Sequence, residues 1–330
     1  MTTSLHPVTL PPAATYQEWL EQRREGVGSS DASAILGLST YESAYSLWEQ
    51  KTGKVPLDPP VDDATEELRR WGHLLEPIIR EETARRLDLT ITKPDHAFAH
   101  PERVWQRSNP DGLTDTGALF EAKNTHFRNS HLWNGQIPDH AEIQVHHSAA
   151  VLGTDHAIVA GLVGGNRLFI HEIEINPTIV DIITEAEATF WEYVVTDTPP
   201  PVDGHVRTMQ SITREWAHKP GVREVQAAEI EDVWEAWREA DAAEKDAKAR
   251  KSEAVAKIAA LMDGHNELVT GNRVWAKTQR GRIDLKRLTA DHPDLVATYM
   301  RVPSFDLEAF KVDHEQLYRR YQSVSIRPKN

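Results

Sequence analysis

A turn followed by a short strand with acidic and basic side chains places the strongest constraint on this fold. The turn is Asn109-Pro110-Asp111-Gly112, and ten residues after its aspartate the chain continues as Glu121-Ala122-Lys123. Pro-Asp-Gly favours a turn, and Thr116-Gly117 indicates the reversal of a hairpin. Because side chains alternate along a strand, Glu121 and Lys123 share one face. The pattern predicts that two carboxylates and one ammonium group converge.

Two carboxylates in one place have the chemistry of a metal site. Hard divalent cations such as Mg²⁺, or Mn²⁺ in the same role, prefer oxygen ligands of this kind. A cation bound by Asp111 and Glu121 would polarise a phosphate and activate water, while Lys123 steadies the developing charge. The same residues also fit an ordinary Asp-Gly turn followed by a solvated cross-strand ion pair. The hairpin residues by themselves leave both interpretations open.

The composition excludes several classes of protein. With 330 residues, 39% of them hydrophobic, the chain can form one large core and an appended part. No run is long enough to span a bilayer, and Met1 to Pro12 lacks the pattern of a signal peptide. Cysteine is absent, which excludes disulfides, iron–sulfur clusters and thiolate zinc sites. We therefore expect a cytoplasmic protein with no membrane partner.

The charge distribution is uneven along the chain. A net charge of -14 argues against indiscriminate coating of DNA. Residues 271–330, however, hold 12 Lys and Arg against 7 Asp and Glu, so this tail is basic. The tail is either an ordinary charged surface or a contact for DNA or a partner. Its basic residues include Arg273, Lys277, Arg280, Arg282, Lys286 and Arg287.

The periodicity predicts a mixed core followed by a helical extension. Residues 1–200 alternate helices and strands, which predicts an α/β or α+β core with a mixed sheet flanked by helices. Prolines 199–201 mark the start of a linker over residues 201–223. Residues 224–266 predict one long helix or a helical hairpin, and residues 267–330 a small basic module. The predicted buried positions of the helical extension are Val225, Val233, Trp237, Val255, Ile258 and Leu261.

Two helical residues extend the candidate metal site. Glu76 lies in a predicted long helix, where Gly72 would permit close packing on the sheet and Pro77 indicates a break or a new first turn. Glu76 is then either an ordinary surface carboxylate or a group directed at the cluster. Gln144 is flanked by Ile143 and Val145, which predicts a half-buried amide that needs a hydrogen-bond partner. A water or a phosphate oxygen would supply that partner.

A glycine-rich turn offers a different kind of site. Residues 26–31 open a predicted helix, whose N-terminus favours an anion. Ser29 and Ser30 add hydroxyl groups, and Arg23, seven residues before Ser30, could return to the turn as a phosphate ligand. The same residues also fit an ordinary helix cap.

Taken together, these motifs resemble the YqaJ-type viral recombinase family, whose members are relatives of lambda exonuclease. The resemblance covers about residues 16–195, and it implies the PD-(D/E)xK nuclease fold. It rests on the order of the following motifs: Arg23 with Gly28-Ser29-Ser30-Asp31-Ala32, Trp71-Gly72-x3-Glu76-Pro77, Pro110-Asp111-Gly112, Glu121-x-Lys123, and Gln144-Val145-His146 ending at Gly153.

The resemblance implies a metal-dependent exonuclease that degrades one strand of linear double-stranded DNA from the 5′ end, with one or two Mg²⁺ or Mn²⁺ ions. Family members work with a single-strand annealing recombinase, in the cytoplasm of a bacterium or phage-infected host. Ring-shaped trimers occur among relatives, so the resemblance also implies a homo-oligomer.

The resemblance also assigns roles to residues. Asp111 and Glu121 would be metal ligands, and Glu76 a helical ligand or water positioner. Lys123 would activate the attacking water, and Gln144 would orient the water or the scissile phosphate. The 5′-phosphate would be held by Arg23, Ser30, Ser29 and Asn109. Asn109 stands where the family often has Ser, and an amide can still donate to phosphate; His146 stands where many members have Gln.

Three alternatives stay open on the sequence. The same scaffold could serve a structure-specific or restriction-type endonuclease. A non-catalytic DNA-binding or assembly protein could use the basic tail, with the core only positioning it. A zinc site is conceivable from scattered histidines, although no paired-ligand spacing favours it. These histidines are His126, His131, His140, His146, His147 and His156.

Overall fold

The computed structural model describes residues 6–57, 61–214 and 221–278, together with Ala290 and Val312. The chain divides into two compact units, residues 1–216 and 217–330, which we describe separately. Among the described residues, no helix is both long enough and apolar enough to cross a bilayer.

The first unit contains seven α-helices and nine strands among its described residues. The helices are α1 (Tyr16–Arg24), α2 (Ser29–Ile35), α3 (Ala44–Lys51), α4 (Asp63–Leu87), α5 (Asp139–Leu152), α6 (Pro177–Val195) and α7 (Val206–Thr213). The strands are β1 (Val8–Thr9), β2 (Val27–Gly28), β3 (Ile91–Thr92), β4 (Phe98–Ala99), β5 (Gln106–Ser108), β6 (Gly112–Thr114), β7 (Leu119–Thr125), β8 (His156–Val163) and β9 (Arg167–Glu174). A 3₁₀ helix, Phe127–Trp133, follows β7.

A five-stranded mixed sheet forms the centre of this unit. Its strand order is β3-β6-β7-β8-β9, in which β7 and β8 run parallel and the other neighbours are antiparallel. A parallel pair needs a crossover, and α5 supplies it between β7 and β8. Gly164 and Gly165 adopt positive φ in the turn between β8 and β9, as the Gly-Gly-Asn sequence requires.

Helices cover both faces of the central sheet. Leu119 of β7 packs with Ala141 and Val145 of α5 on one face. Phe120, the next residue, packs with Ile79 of α4 on the other. The alternation of side chains along β7 therefore directs its odd-numbered residues toward α5 and its even-numbered residues toward α4.

A smaller sheet lies beside a second apolar cluster. Its order is β1-β4-β5-β2, with β2 and β5 parallel. Val27 of β2 packs with Ala34 of α2, Trp48 of α3 and Phe190 of α6. The architecture confirms the predicted α/β class, a mixed sheet flanked by helices.

Two expectations about α4 are wrong. The helix runs unbroken through Pro77, although Pro77 removes one backbone donor. Its packing on the sheet through Ile79, together with an N-cap at Asp62 that accepts from the Thr65 amide, offsets that loss. Gly72 makes no close approach, since a Cβ built there would meet nothing within 4 Å.

Part of the predicted linker is helical. Helix α7 lies within residues 201–223 and packs against α3. Thr208 of α7 is buried and its hydroxyl donates to the Ser43 hydroxyl, 2.8 Å away. The polar composition of this stretch predicts an exposed linker. The buried hydroxyl contacts depend on tertiary packing, which the composition does not indicate.

The second unit contains one long helix and a hairpin among its described residues. The helix is α8 (Ala227–Met262), and the hairpin joins β10 (Glu267–Thr270) to β11 (Arg273–Lys277). None of the helix residues is buried, so the expectation that its apolar side chains form a core is wrong. Of the predicted core positions, Val233, Val255, Ile258 and Leu261 are exposed, as is Val225 before the helix, while Trp237 is partly exposed. Most of the predicted basic module after Thr278 lies outside the described residues.

Candidate active site

The predicted hairpin forms, and it brings the two acids together. Asp111 directly precedes β6, whose first residue Gly112 pairs with Phe120 of β7. One step further along this antiparallel register, Asp111 lies across from Glu121. Gly117 at the reversal has a φ of 86°, and its amide donates to the Thr114 carbonyl over 3.0 Å. The turn chemistry therefore sets the register that places the carboxylates beside each other.

Lys123 connects the hairpin to α5. Its ammonium group contacts the Glu121 carboxylate at 2.6 Å and donates a hydrogen bond to the side-chain oxygen of Gln144. Glu121 and Lys123 lie on the α5 face of β7, and Gln144 lies one helical turn from the start of α5. These three predicted residues form one hydrogen-bonded group, in which Glu121 is buried and Lys123 and Gln144 are half-buried.

Asp111 is held in an acidic environment. One of its carboxylate oxygens accepts a 2.9 Å hydrogen bond from the Ala122 amide. Burial, followed by the Glu121 carboxylate, raises the pKa of Asp111 from 3.8 to about 7, and Glu76 contributes in the same direction. The Ala122 amide and Lys123 oppose this rise without cancelling it. A negative charge on Asp111 is therefore poorly compensated by the protein.

Glu76 reaches the site from the opposite side of the sheet. One of its carboxylate oxygens contacts Arg80 at 3.2 Å and Lys93 at 2.5 Å. The Arg80 guanidinium also donates to the backbone carbonyl of Asp111 over 3.1 Å. Arg80 thus ties α4 to the turn that carries the first acid.

Arg80 and Lys93 were not among the predicted residues. The spacing of four between Glu76 and Arg80 on one helix is a signal that could have identified Arg80. Lys93 follows β3, and only the tertiary fold brings it to α4, so no local pattern indicates it.

The donor set at the hairpin suits a divalent cation. Two adjacent carboxylates that repel each other, on a turn and a strand fixed by backbone hydrogen bonds, are oxygen ligands for an ion such as Mg²⁺. Across the described ranges, no three acidic or imidazole groups come together as a ready ligand set. Asp111 and Glu121 could hold the ion, while one Glu76 oxygen is engaged with two bases. The predicted metal ligands therefore stay a prediction.

The glycine-rich turn brings Arg23 to Ser30, as the sequence predicts. The Arg23 guanidinium donates to the Ser30 hydroxyl over 3.3 Å and contacts the Asp31 carboxylate at 3.2 Å. Asp31 also accepts from the Gly28 amide over 3.0 Å, and Ser29 begins α2. Arg23 keeps 37% of its side chain exposed, so its guanidinium is accessible to a ligand.

A buried lysine supports this turn. The Lys51 side chain is inaccessible to solvent, and its ammonium group contacts the Arg23 carbonyl at 2.6 Å, the Gly26 carbonyl at 2.7 Å and Asp31 at 2.6 Å. Burial would raise the pKa of Asp31, but Lys51 and Arg23 lower it to about 2. Burial lowers the pKa of Lys51. Lys51 comes from α3, and no motif in the sequence marks it.

Asn109 lies close to the glycine-rich turn by topology. Strands β2 and β5 are parallel neighbours that end at Gly28 and Ser108. The residues that follow them, Ser29 and Asn109, therefore leave the same edge of the sheet. Asn109 is exposed, whereas Ser108 is buried and its hydroxyl donates to Ser148 over 2.9 Å.

Two of the clustered histidines, His146 and His147, are buried and form hydrogen bonds within the core. Both ring nitrogens of His147 are engaged, by Glu187 at 2.5 Å and by the Arg107 carbonyl at 2.8 Å. Burial lowers the pKa of His147, but the buried Glu187 carboxylate outweighs it and the net direction is upward. His146 bonds the Glu142 carbonyl and accepts from the Asn176 amide.

His140 interacts electrostatically with Lys123 and Glu121 of the site. Burial and then Lys123 lower the pKa of His140, while Glu121 opposes the change. The remaining histidines bond locally: His126 and His131 within the 3₁₀ helix and its cap, and His156 with Asp155.

Comparison with known proteins finds a relative by sequence. Over 205 residues the chain is 34% identical to a protein of Bacillus subtilis (strain 168) described as uncharacterized protein YqaJ. The aligned region covers 61% of this chain and 63% of that protein.

Some solved structures show a partial similarity of backbone. An alkaline exonuclease from Laribacter hongkongensis has a TM-score of 0.46 at 15% identity, covering 61% of this chain and 98% of that one. A phage-related exonuclease from Haemophilus somnus 129PT has a TM-score of 0.40 at 12% identity, covering 52% and 96%.

The family comparison covers the residues of the candidate site. The model of the YqaJ-like viral recombinase domain matches residues 18–157. That range includes the glycine-rich turn, Glu76, the acidic hairpin and Gln144, so it confirms the resemblance stated from the motifs. Over residues 18–157 this chain is therefore similar to the YqaJ-like viral recombinase domain family.

Proposed function

We propose that this chain is a metal-dependent 5′–3′ exonuclease that hydrolyses phosphodiester bonds of linear double-stranded DNA. The observation that carries the proposal is the hairpin cluster: Asp111 beside Glu121, with Lys123 bonded to both Glu121 and Gln144. Acids beside an ammonium group match the needs of phosphodiester hydrolysis, in which negative charge develops on the attacking and leaving oxygens. The match to the viral recombinase domain supports the same reaction class.

Each residue of the cluster has a task in this scheme. One or two Mg²⁺ or Mn²⁺ ions, when bound by Asp111 and Glu121, supply Lewis-acid polarisation and an acidified water. Lys123 places a positive charge where the phosphoryl oxygens gain negative charge. Gln144 orients Lys123 through its side-chain oxygen, and its amide nitrogen can donate to the water or the phosphate. Glu76, paired with Arg80 and Lys93, positions water at the edge of the cluster.

The glycine-rich turn supports binding of a 5′ end. Arg23 and Ser30 offer donors to a terminal phosphate, and Ser29 and Asn109 leave the same sheet edge. The triad of Arg23, Asp31 and Lys51 carries one net positive charge, which favours an anion over a neutral hydroxyl end. We assign the 5′-phosphate to this turn.

The product of this reaction suggests a partner. Removal of nucleotides from the 5′ ends of a duplex leaves 3′ single strands, and a single-strand annealing recombinase would act on them. We propose that the exonuclease and this annealing recombinase act together in the cytoplasm, with double-stranded DNA ends as the substrate. The ring-shaped trimer stays an expectation from the family resemblance.

One digestion series tests the function. Linear duplex carrying a label at the 5′ or the 3′ end is incubated with Mg²⁺, with Mn²⁺ or with EDTA, beside a covalently closed circular duplex. We expect immediate release of the 5′ label as mononucleotide, delayed release of the 3′ label, no reaction in EDTA and an intact circle. Asp111→Asn protein is the matched control and should release nothing.

Other outcomes of this series point to the alternatives. Nicking of the closed circle would instead identify an endonuclease. Salt-sensitive binding that survives Asp111→Asn, without degradation by the wild type, would identify a DNA-binding protein.

A further inference from the structure

Helix α8 carries an apolar stripe along a face on which every residue is exposed or partly exposed. The stripe follows a spacing of three and four residues, the period of a coiled coil. Its positions are Ile230, Trp234, Trp237, Asp241, Glu244, Lys248, Lys251, Val255, Ile258 and Met262. Ile230, Val255 and Ile258 are 43%, 57% and 39% exposed. Both ends of the stripe are therefore apolar and solvent-accessible, whereas its middle is charged.

The charges divide the helix into two halves of opposite sign. Residues 227–244 contain seven acids and one base, and residues 245–262 contain five bases and two acids. On the stripe itself, Asp241 and Glu244 precede Lys248 and Lys251. Acids near the N-terminus and bases near the C-terminus stabilise an isolated helix, because they oppose its dipole. When two copies of the helix run antiparallel, the acidic half of each also lies beside the basic half of the other.

We propose that α8 pairs with α8 of a second copy of this chain as an antiparallel two-stranded coiled coil. Centred on residue 246, this arrangement places Ile230 opposite Met262, and Trp234 opposite Ile258. Trp237 then faces Val255. Each apolar position of one helix meets an apolar position of the other, so the exposed ends of both stripes are covered.

The charged middle of the stripe selects the same arrangement. In the antiparallel pair Asp241 faces Lys251, and Glu244 faces Lys248. A parallel pair in register would place each of these charges against its own copy. Sliding the antiparallel pair by one heptad brings Asp241 against Glu244 in one direction and Lys248 against Lys251 in the other. Opposite charges at core positions therefore specify both orientation and register.

The residues beside the stripe also fit this pairing. Positions 240, 247 and 254 on one flank are alanines, and Val233 and Leu261 continue that flank at either end. In the proposed register Ala240 lies near Ala254 of the second copy, Val233 near Leu261, and Ala247 near its own counterpart at the two-fold axis. Small residues at these flanks let two helices approach closely. This contact is formed by the second unit and is independent of any ring formed by the first.

The absence of cysteine from the chain permits a direct test. Ala247→Cys in the full chain should form an intermolecular disulfide under mild oxidation, because the two sulfurs meet at the axis. Asp246→Cys is the matched control, since residue 246 lies on the opposite side of the helix and its sulfurs point apart. We expect most of the Ala247→Cys protein to become a covalent dimer and little of the control. Equal cross-linking of both variants, or none in either, would overturn the proposal.

Charge exchange tests the register independently. Glu244→Lys should shift the full chain from dimer toward monomer in sedimentation equilibrium, with at least a tenfold weaker dimer constant, since the introduced ammonium group of one copy then faces Lys248 of the other. Glu244→Lys combined with Lys248→Glu restores opposite charges and should restore the dimer. Asp246→Lys also removes an intrahelical ion pair, with Arg250, but lies off the stripe and should leave the dimer unchanged. A wild-type chain that is monomeric at tens of micromolar would contradict the pairing.

Discussion

Asp111 and Glu121 lie across from each other at the open end of the β6–β7 hairpin. Burial and then the Glu121 carboxylate raise the pKa of Asp111 to about 7. The folded protein therefore opposes the ionisation of the Asp111 carboxyl group. A bound divalent cation would reverse that balance, because its charge favours both carboxylates in the ionised form.

The first prediction concerns Asp111→Asn and stability in EDTA. The pKa of Asp111 is near 3.8 unfolded and about 7 folded, so the folded state binds more protons between those values. The folded state favours the protonated form of Asp111. The stability that this preference gives is fully present below pH 4 and is lost as the pH rises toward 7. Wild type should therefore lose stability relative to Asp111→Asn between about pH 4 and pH 7, on the order of a few kcal/mol, since one pKa unit is about 1.4 kcal/mol.

Urea unfolding of both proteins at several pH values measures this difference. Adding Mg²⁺ at pH 8 should stabilise wild type more than the variant, because an ion bound to the folded state stabilises that state. Parallel stability curves for the two proteins over this range would show that Asp111 carries no such strain.

A second prediction separates Lys123 from the residue that orients it. Lys123→Met should lower the single-turnover rate of DNA cleavage by about 10²–10³, the usual effect of removing a group that stabilises transition-state charge. Gln144→Leu removes one hydrogen bond to Lys123 and should cost about tenfold. DNA affinity should change little in either variant. Gln136→Leu, an exposed glutamine before α5, is the control and should retain the wild-type rate.

The sequence indicates the parts of the site that depend on local geometry. The Pro-Asp-Gly turn, the reversal at Gly117 and the alternation of β7 suffice to bring Glu121 and Lys123 to one face. The contact between Arg23 and Ser30, predicted from their spacing in the sequence, is likewise present in the structure. In contrast, Lys51 and Lys93 reach their partners through tertiary packing between elements far apart in sequence.

Burial on the helices is where the sequence misleads. The apolar residues of α8 have the periodicity of a core-facing helix, yet the helix is exposed. Periodicity reports that a face is suited to burial, and it does not say what covers that face. The opposite error concerns α7, whose buried Thr208 and Ser211 are polar residues that no hydrophobic pattern reveals.

A third prediction addresses the buried pair of Asp31 and Lys51. Lys51→Met leaves Asp31 with fewer partners and removes a donor from two backbone carbonyls, so it should destabilise the fold by about 3–5 kcal/mol. Asp31→Asn combined with Lys51→Met removes both charges and should cost less than the sum of the single changes. Thermal unfolding of the four proteins gives this coupling, and additive losses would contradict it.

The same variants test the role of the turn at DNA ends. Folded Asp31→Asn/Lys51→Met protein should digest 5′-phosphorylated ends with a reduced advantage over 5′-hydroxyl ends, since Arg23 loses its fixed partner. Digestion of 5′-hydroxyl ends serves as the internal control. If the ratio of digestion rates for 5′-phosphorylated and 5′-hydroxyl ends did not change, Arg23 would not be a ligand of the terminal phosphate.

The last prediction contrasts two glycines with opposite surroundings. A Cβ at Gly161, which pairs with Lys123 in the sheet, would lie 2.3–2.5 Å from the buried Trp133 ring, so Gly161→Ala should destabilise by about 1–3 kcal/mol. A Cβ at Gly72 would meet nothing within 4 Å, and alanine suits a helix better than glycine, so Gly72→Ala should stabilise by about 0.5–1 kcal/mol. Urea unfolding of both variants checks the signs. A stable Gly161→Ala protein would mean that Trp133 does not pack over β8, and the wall of the site beside Lys123 would then need a different arrangement.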